Sequence, residues 1–174
     1  MHTVTHRILV MGVSGCGKTH IGQHLAAQLE ADFIDGDDYH SPSSIAKMAN
    51  GQPLNDDDRH EWLQTLAGLF ESYRQRDASV VIGCSALKRR YRETLRCGDP
   101  GLAILYLKGS RELLLDRLAQ RSDHFFKGSG MLDSQLNDLE PPDEVKALGL
   151  DIALPPQRIV SDFLQWLTIQ RPID

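Results

Sequence analysis

Gly12, Gly17, Lys18 and Thr19 stand in the spacing glycine, four residues, glycine-lysine-threonine, within Gly12-Val13-Ser14-Gly15-Cys16-Gly17-Lys18-Thr19. That is the pattern of a phosphate-binding loop. Glycines let the backbone approach a phosphate closely, and successive N–H groups with a helix N-terminus then hold the anion. Lys18 is placed to reach the outer phosphates and to act in transfer, and the Thr19 hydroxyl to hold Mg2+. A second set of candidates follows in Asp35-Gly-Asp-Asp38. In an extended chain Phe33, Asp35 and Asp37 share a face. One carboxylate could bind the metal side, and the other could take the proton of an attacking hydroxyl. The competing reading is a plain turn, a common use of Asp and Gly.

These residues need a strand-turn-helix frame, and the sequence offers one. Ile8 to Met11 reads as a buried strand, and Ile21 to Leu29 as a helix with apolar positions 21, 25, 26 and 29. Ala31 to Asp38 is a short second strand ending in the aspartates, at the strand end where parallel sheets bind ligands. Ser41-Pro42 opens a short helix closed by Asn50-Gly51, and His40 and Lys47 are candidate acceptor contacts there. Asn55 caps the next helix, with Asp56, Asp57 and Asp58 favoured by its dipole. Arg59 lies on the face of Trp62, Leu63 and Leu66, so it wants an anion: a substrate carboxylate, or Asp58 or one of Asp35 to Asp38.

Ala78 to Cys84 is a third strand running into Ser85, read as another anion-holding helix N-terminus. Lys88 and Arg92, four apart, would share a face and clamp acceptor or phosphate. Leu102 to Leu107 is a fourth strand. The helix after it carries Arg117 and Arg121 into the glycine-containing stretch Ser122 to Gly130, which reads as a lid over phosphoryl charge. A solvated helix face paired with Asp116 is the plainer alternative. A short helix from Met131 to Leu139, a last strand within Glu144 to Ile152 and a final helix after Pro156 complete the chain. Strands alternating with helices mean a parallel sheet covered on both faces.

The chain of 174 residues suits one domain, and 41% hydrophobic with 25% charged residues suits a globular one. A net charge of −5 speaks against nucleic acid as partner. No stretch is long and apolar enough for a membrane span, and no signal peptide is apparent. Cys16, Cys84 and Cys97, widely spaced, suit reduced thiols in the cytoplasm. Cys16 inside the loop could have a lowered pKa, but a small side chain fitting a tight turn is the plainer reading.

Four stretches resemble the gluconate kinases (gluconokinases) among the P-loop small-molecule kinases: Gly12 to Thr19, Asp35-Gly-Asp-Asp-Tyr-His40, Lys47 to Arg59 with Trp62-Leu63, and Cys84-Ser-Ala-Leu-Lys88. The likeness spans most of the chain. It implies transfer of the ATP γ-phosphate to the 6-hydroxyl of D-gluconate. It also implies an α/β P-loop kinase fold: one domain over 1–174, five parallel strands ordered 2-3-1-4-5, an acceptor segment near 40–60 and a lid near 121–132. By matching positions, Gly12 to Thr19 with Arg117 and Arg121 would hold ATP. Thr19 and Asp35 would hold Mg2+, and Asp37 would be the base or orienter. His40, Lys47, Arg59, Lys88 and Arg92 would face gluconate. A cytoplasmic homodimer is the family's common form. Two departures stand out: Cys16 replaces a serine, and the lid is one residue longer and richer in glycine. A kinase of another small hydroxy acid such as shikimate or of a nucleoside monophosphate, and a non-catalytic nucleotide sensor, are the alternatives.

Overall fold

The computed structural model describes residues 4–121 and 128–170. Five parallel strands form one sheet in the order β2-β3-β1-β4-β5, as the family resemblance implies. They are β1 (Arg7–Met11), β2 (Asp32–Asp35), β3 (Val80–Gly83), β4 (Ala103–Lys108) and β5 (Ala147–Asp151). The helices are α1 (Lys18–Leu29), α2 (Pro42–Ala49), α3 (Asp56–Gln75), α4 (Arg89–Arg96), α5 (Arg111–Arg121), α6 (Gly128–Asp138) and α7 (Pro156–Ile169).

The period-two alternation of β1 organises two cores. Ile8 and Val10 pack with Ile21 and Leu25 of α1, Leu114 of α5 and Phe163 of α7. Leu9 and Met11 face the other way, into Trp62, Leu63, Leu66 and Phe70 of α3 and Leu95 of α4. β1 is central and buried on both faces, which is why it reads as an unbroken apolar run. Pairing of Leu9 with Ile82 and Ile104 aligns the carboxyl ends of β1, β3 and β4. Asp35 pairs with Gly83 at the same edge.

Two helices begin differently from the sequence reading. Ser85 does not open a helix: Ala86 takes φ of 45°, in the left-handed region, and α4 starts only at Arg89 with Lys88 as its N-cap. Residues 85–88 are therefore a loop, and Lys88 and Arg92 do not share a helical face. Helix α6 begins at Gly128, so part of the segment expected to be a lid is helical. Residues 122–127 of that segment lie outside the described residues.

Candidate active site

Helix α1 starts without a cap. Its N-cap, Gly17, has φ of 94° and offers no side-chain acceptor, and the first turn carries no acid. The orphan N–H groups of that turn are thus left for a ligand. Helix α3 is the opposite case: Asn55 and Asp58 form a reciprocal capping box, backed by Asp56 and Asp57. Its N-terminus satisfies itself.

Gly15 and Gly17 hold φ of 87° and 94°, which a side chain would strain. Cys16 N–H donates to Val13 O, and Gly12 N–H to Ser85 O at 3.4 Å, so the loop is tied to the segment after β3. The Cys16 side chain is buried, and burial pushes its thiol pKa up against the pull of Lys18. The plainer reading of Cys16 therefore stands. Lys18 Nζ folds back onto Gly12 O at 3.0 Å and Val13 O at 3.3 Å.

Above the loop opens a cavity of about 760 Å³. Ser14, Lys18, Thr19, Asp35, Asp37 and Arg117 are among the residues lining it. The sequence candidates for nucleotide, metal and base thus meet in one place. The Thr19 hydroxyl and Asp35 share this cavity, a donor set that fits Mg2+ held mainly through phosphate and water. Among the described residues no group of three His, Cys, Asp or Glu could hold a metal by itself. Arg117 is anchored by donating from Nη2 to Ile152 O at 2.6 Å. Its Nη1 stands 4.0 Å from where a Cβ on Gly17 would be. The side chain of Arg121 lies outside the described residues.

The turn that carries Asp37 is held from three sides. Asp35 accepts from Asp37 N–H at 3.0 Å, capping a short 3-10 turn over Gly36–Tyr39. Trp62 Nε1 donates to Gly36 O at 2.8 Å. A Cβ on Gly36 would stand 2.7 Å from Gly83 O, so only glycine permits this approach to β3. The His40 ring stacks on Trp62 at 4.2 Å, and its Nε2 lies 3.8 Å from Asp37 Oδ1. His40, and less strongly Lys18, hold the Asp37 carboxyl below the usual carboxylate range against a smaller desolvation effect. A carboxylate ionised at neutral pH can orient a hydroxyl and take its proton. His40 is therefore a support of Asp37, with its side chain only 7% exposed.

A second, smaller cavity of about 260 Å³ lies between α3, the loop after β3 and α6. Arg59, Trp62, Tyr91, Ser134, Gln135 and Asp138 line it. Arg59 donates to Tyr91 OH at a long 3.4 Å and makes no ion pair with a carboxylate among the described residues. Of the two readings of Arg59, the ion pair with Asp58 or with one of Asp35 to Asp38 is not seen among the described residues. Ser134, Gln135 and Asp138 are residues the sequence reading missed. Their signal is the polar spacing 134, 135 and 138 on α6, set against Leu132, Leu136 and Leu139.

Three other acceptor candidates are placed elsewhere. Arg92 is corrected outright. It is 1% exposed and donates to both carboxylate oxygens of Glu144, to Ala86 O, Leu87 O and Glu140 O, so no donor direction is left for a substrate. It fixes the loop after β3 against the chain beyond α6. Lys47 donates to Asp58 at 2.7 Å, so Asp58 is paired with Lys47 rather than with Arg59. Lys88 places its Nζ 6.0 Å from the Tyr91 ring centroid, next to the cavity wall but not among its lining residues.

A family model described as an AAA domain matches residues 8–142. The thermoresistant gluconokinase of Escherichia coli (strain K12) is 44% identical over 163 residues, 92% of each chain. The chain belongs to the gluconokinase family. A crystal structure of a gluconokinase from Sinorhizobium meliloti 1021 superposes with a TM-score of 0.85 at 41% identity, covering 96% of this chain and 94% of that one. An unliganded sugar kinase from Janibacter sp. HTCC2649 gives the same TM-score at 42% identity, covering 95% of both chains. Within this gluconokinase-family fold, the two cavities are neighbours joined through Ser14: it lines the larger one, and its N–H donates to Gln135 Oε1 at 2.7 Å in the smaller.

Proposed function

We propose that the chain transfers the γ-phosphoryl group of ATP to the 6-hydroxyl of D-gluconate, giving 6-phosphogluconate and ADP. The observation that carries this reading is the pairing of a phosphate-loop cavity containing Asp37 with an adjacent cavity of mixed lining that contains Arg59, a guanidinium with no carboxylate partner among the described residues. The names of the relatives point to the same acceptor. The loop Gly12 to Thr19 cradles the phosphates through the backbone N–H groups it leaves open, those of Gly15, Gly17, Lys18 and Thr19, and Lys18 swings from its carbonyl contacts to the outer phosphates. Thr19 and Asp35 would hold Mg2+, which would supply charge neutralisation at the phosphates. Asp37 accepts the proton of the 6-hydroxyl as its oxygen bonds to phosphorus and the bond to ADP breaks. Arg117, with Arg121 at the end of α5, balances the charge that moves. Arg59 pairs with the gluconate carboxylate, and Lys88 stands by on the same side.

The reading extends to a single kinase domain working as a cytoplasmic homodimer. Cys16, Cys84 and Cys97 are all free thiols, which suits a reducing compartment. Among the described residues no helix is long and apolar enough to cross a membrane.

Incubation with ATP and Mg2+ against a panel of gluconate, shikimate and AMP, with products identified by mass, tests the function. One phosphoryl group added to gluconate alone is expected. Turnover that depends on shikimate or AMP instead would move the acceptor, and ADP formed with none of them would favour a nucleotide sensor.

A further inference from the structure

Gln135 touches both halves of the site. A backbone N–H must meet the oxygen of its amide, so the Ser14 contact at 2.7 Å fixes Oε1 on the phosphate loop. The NH2 end is then turned the other way, on a residue that lines the cavity of Arg59 and Asp138. Among the described residues that NH2 has no protein acceptor, although the residue is part-buried. Gln135 is carried on helix α6, whose apolar residue Leu132 is fully buried in the core, so the amide is delivered from a packed element.

From this we infer that Gln135 is a positioning residue that registers the acceptor against the phosphate loop. Its oxygen holds the Ser14 amide, and its NH2 donates to a hydroxyl oxygen of the polyhydroxy acid. One planar group thereby sets the distance between the attacking hydroxyl and the phosphoryl group. A misplacement of about 1 Å in such a pair costs on the order of 10²-fold in rate. The inference rests on the acceptor reading of the smaller cavity given above. Water is small enough to reach the phosphoryl group without this registration, whereas a bound sugar acid is not free to adjust.

The test is Gln135→Leu, assayed for gluconate phosphorylation and for ADP formed without acceptor, with circular dichroism to check folding. Transfer is expected to fall at least roughly tenfold, as for loss of a site hydrogen bond, with ATP hydrolysis per transfer raised by a similar factor. A ratio of hydrolysis to transfer unchanged within about twofold overturns the inference, because a purely structural role would lower both together. Wild-type protein without gluconate-dependent turnover overturns the acceptor reading as well. Where Gln135→Leu does not fold, Gln135→Glu serves: it keeps an acceptor for Ser14 N–H but loses the donor to the cavity. Its KM for gluconate is expected to rise about fivefold or more, and an unchanged KM overturns the inference.

Discussion

The nucleotide side presents backbone N–H groups of one short stretch, Gly15, Gly17, Lys18 and Thr19, at the uncapped start of α1, while those of Gly12, Ser14 and Cys16 are bonded within the protein and hold the loop in place. The acceptor side is walled by side chains from four segments: Arg59 and Trp62 on α3, Ser85 and Leu87 in the loop after β3, Tyr91 on α4, and Ser134, Gln135 and Asp138 on α6. The difference has a physical origin. Phosphate geometry is shared by every nucleotide, so a local backbone fold can bind it. A sugar acid is told from its neighbours by where its hydroxyls and carboxylate lie, and only side chains brought together by the fold can sample those positions.

The contrast breaks first at Lys18. Lys18→Met is expected to lower kcat/KM on the order of 10³-fold, because it removes the one side-chain charge the loop contributes. Titration with a fluorescent ATP analogue and steady-state assays would show it; a loss of less than about tenfold would mean that the backbone alone suffices. Next comes Arg92→Ala. It leaves Glu144, 6% exposed on its side chain, without its partner, at a cost of about 3–5 kcal/mol to folding. Urea unfolding measures this. A stable variant with weakened gluconate binding would instead return Arg92 to the acceptor side.

Asp37→Asn is expected to lower kcat by about 10²-fold with ATP binding retained. Its pH dependence carries a sign. His40 lowers the Asp37 pKa, so the carboxylate stays ionised, and turnover persists, to lower pH than for a free aspartate. In His40→Ala the acid limb of kcat/KM should shift upward, toward the ordinary carboxylate value. A limb that stays in place would remove His40 from the support of Asp37. The smallest effect is expected at Lys47→Met. Since Asp58 already holds Lys47, KM for gluconate should change by less than about threefold, and a larger rise would restore Lys47 as a contact.

The same contrast explains what the sequence makes legible. The loop, the aspartates and all five strands are local patterns and are present, but the second strand stops at Asp35 rather than running to Asp38, so Asp37 is carried by the 3-10 turn Gly36–Tyr39 and does not share a strand face with Asp35. The strand order rests on family resemblance, because periodicity carries no pairing information. Arg92 looks like a free cation since its partners, Glu140 and Glu144, are some fifty residues away and unremarkable in sequence. The start of α4 is displaced by the loop at Ala86, which takes a left-handed backbone that an alanine does not signal in sequence. Gln135 lies on the polar face of a short helix, and nothing in that face says which cavity it meets.

The central claim is that Arg59 reads a carboxylate in a cavity separate from the phosphate loop. The most direct measurement compares kcat/KM for D-gluconate with that for D-glucitol, which carries an alcohol in place of the carboxylate, in wild type and in Arg59→Ala. Wild type is expected to favour gluconate by roughly 10²-fold, the scale of a charge-assisted pair. In Arg59→Ala that preference should shrink to a few-fold with KM for ATP unchanged. A preference that survives the substitution intact would contradict the account.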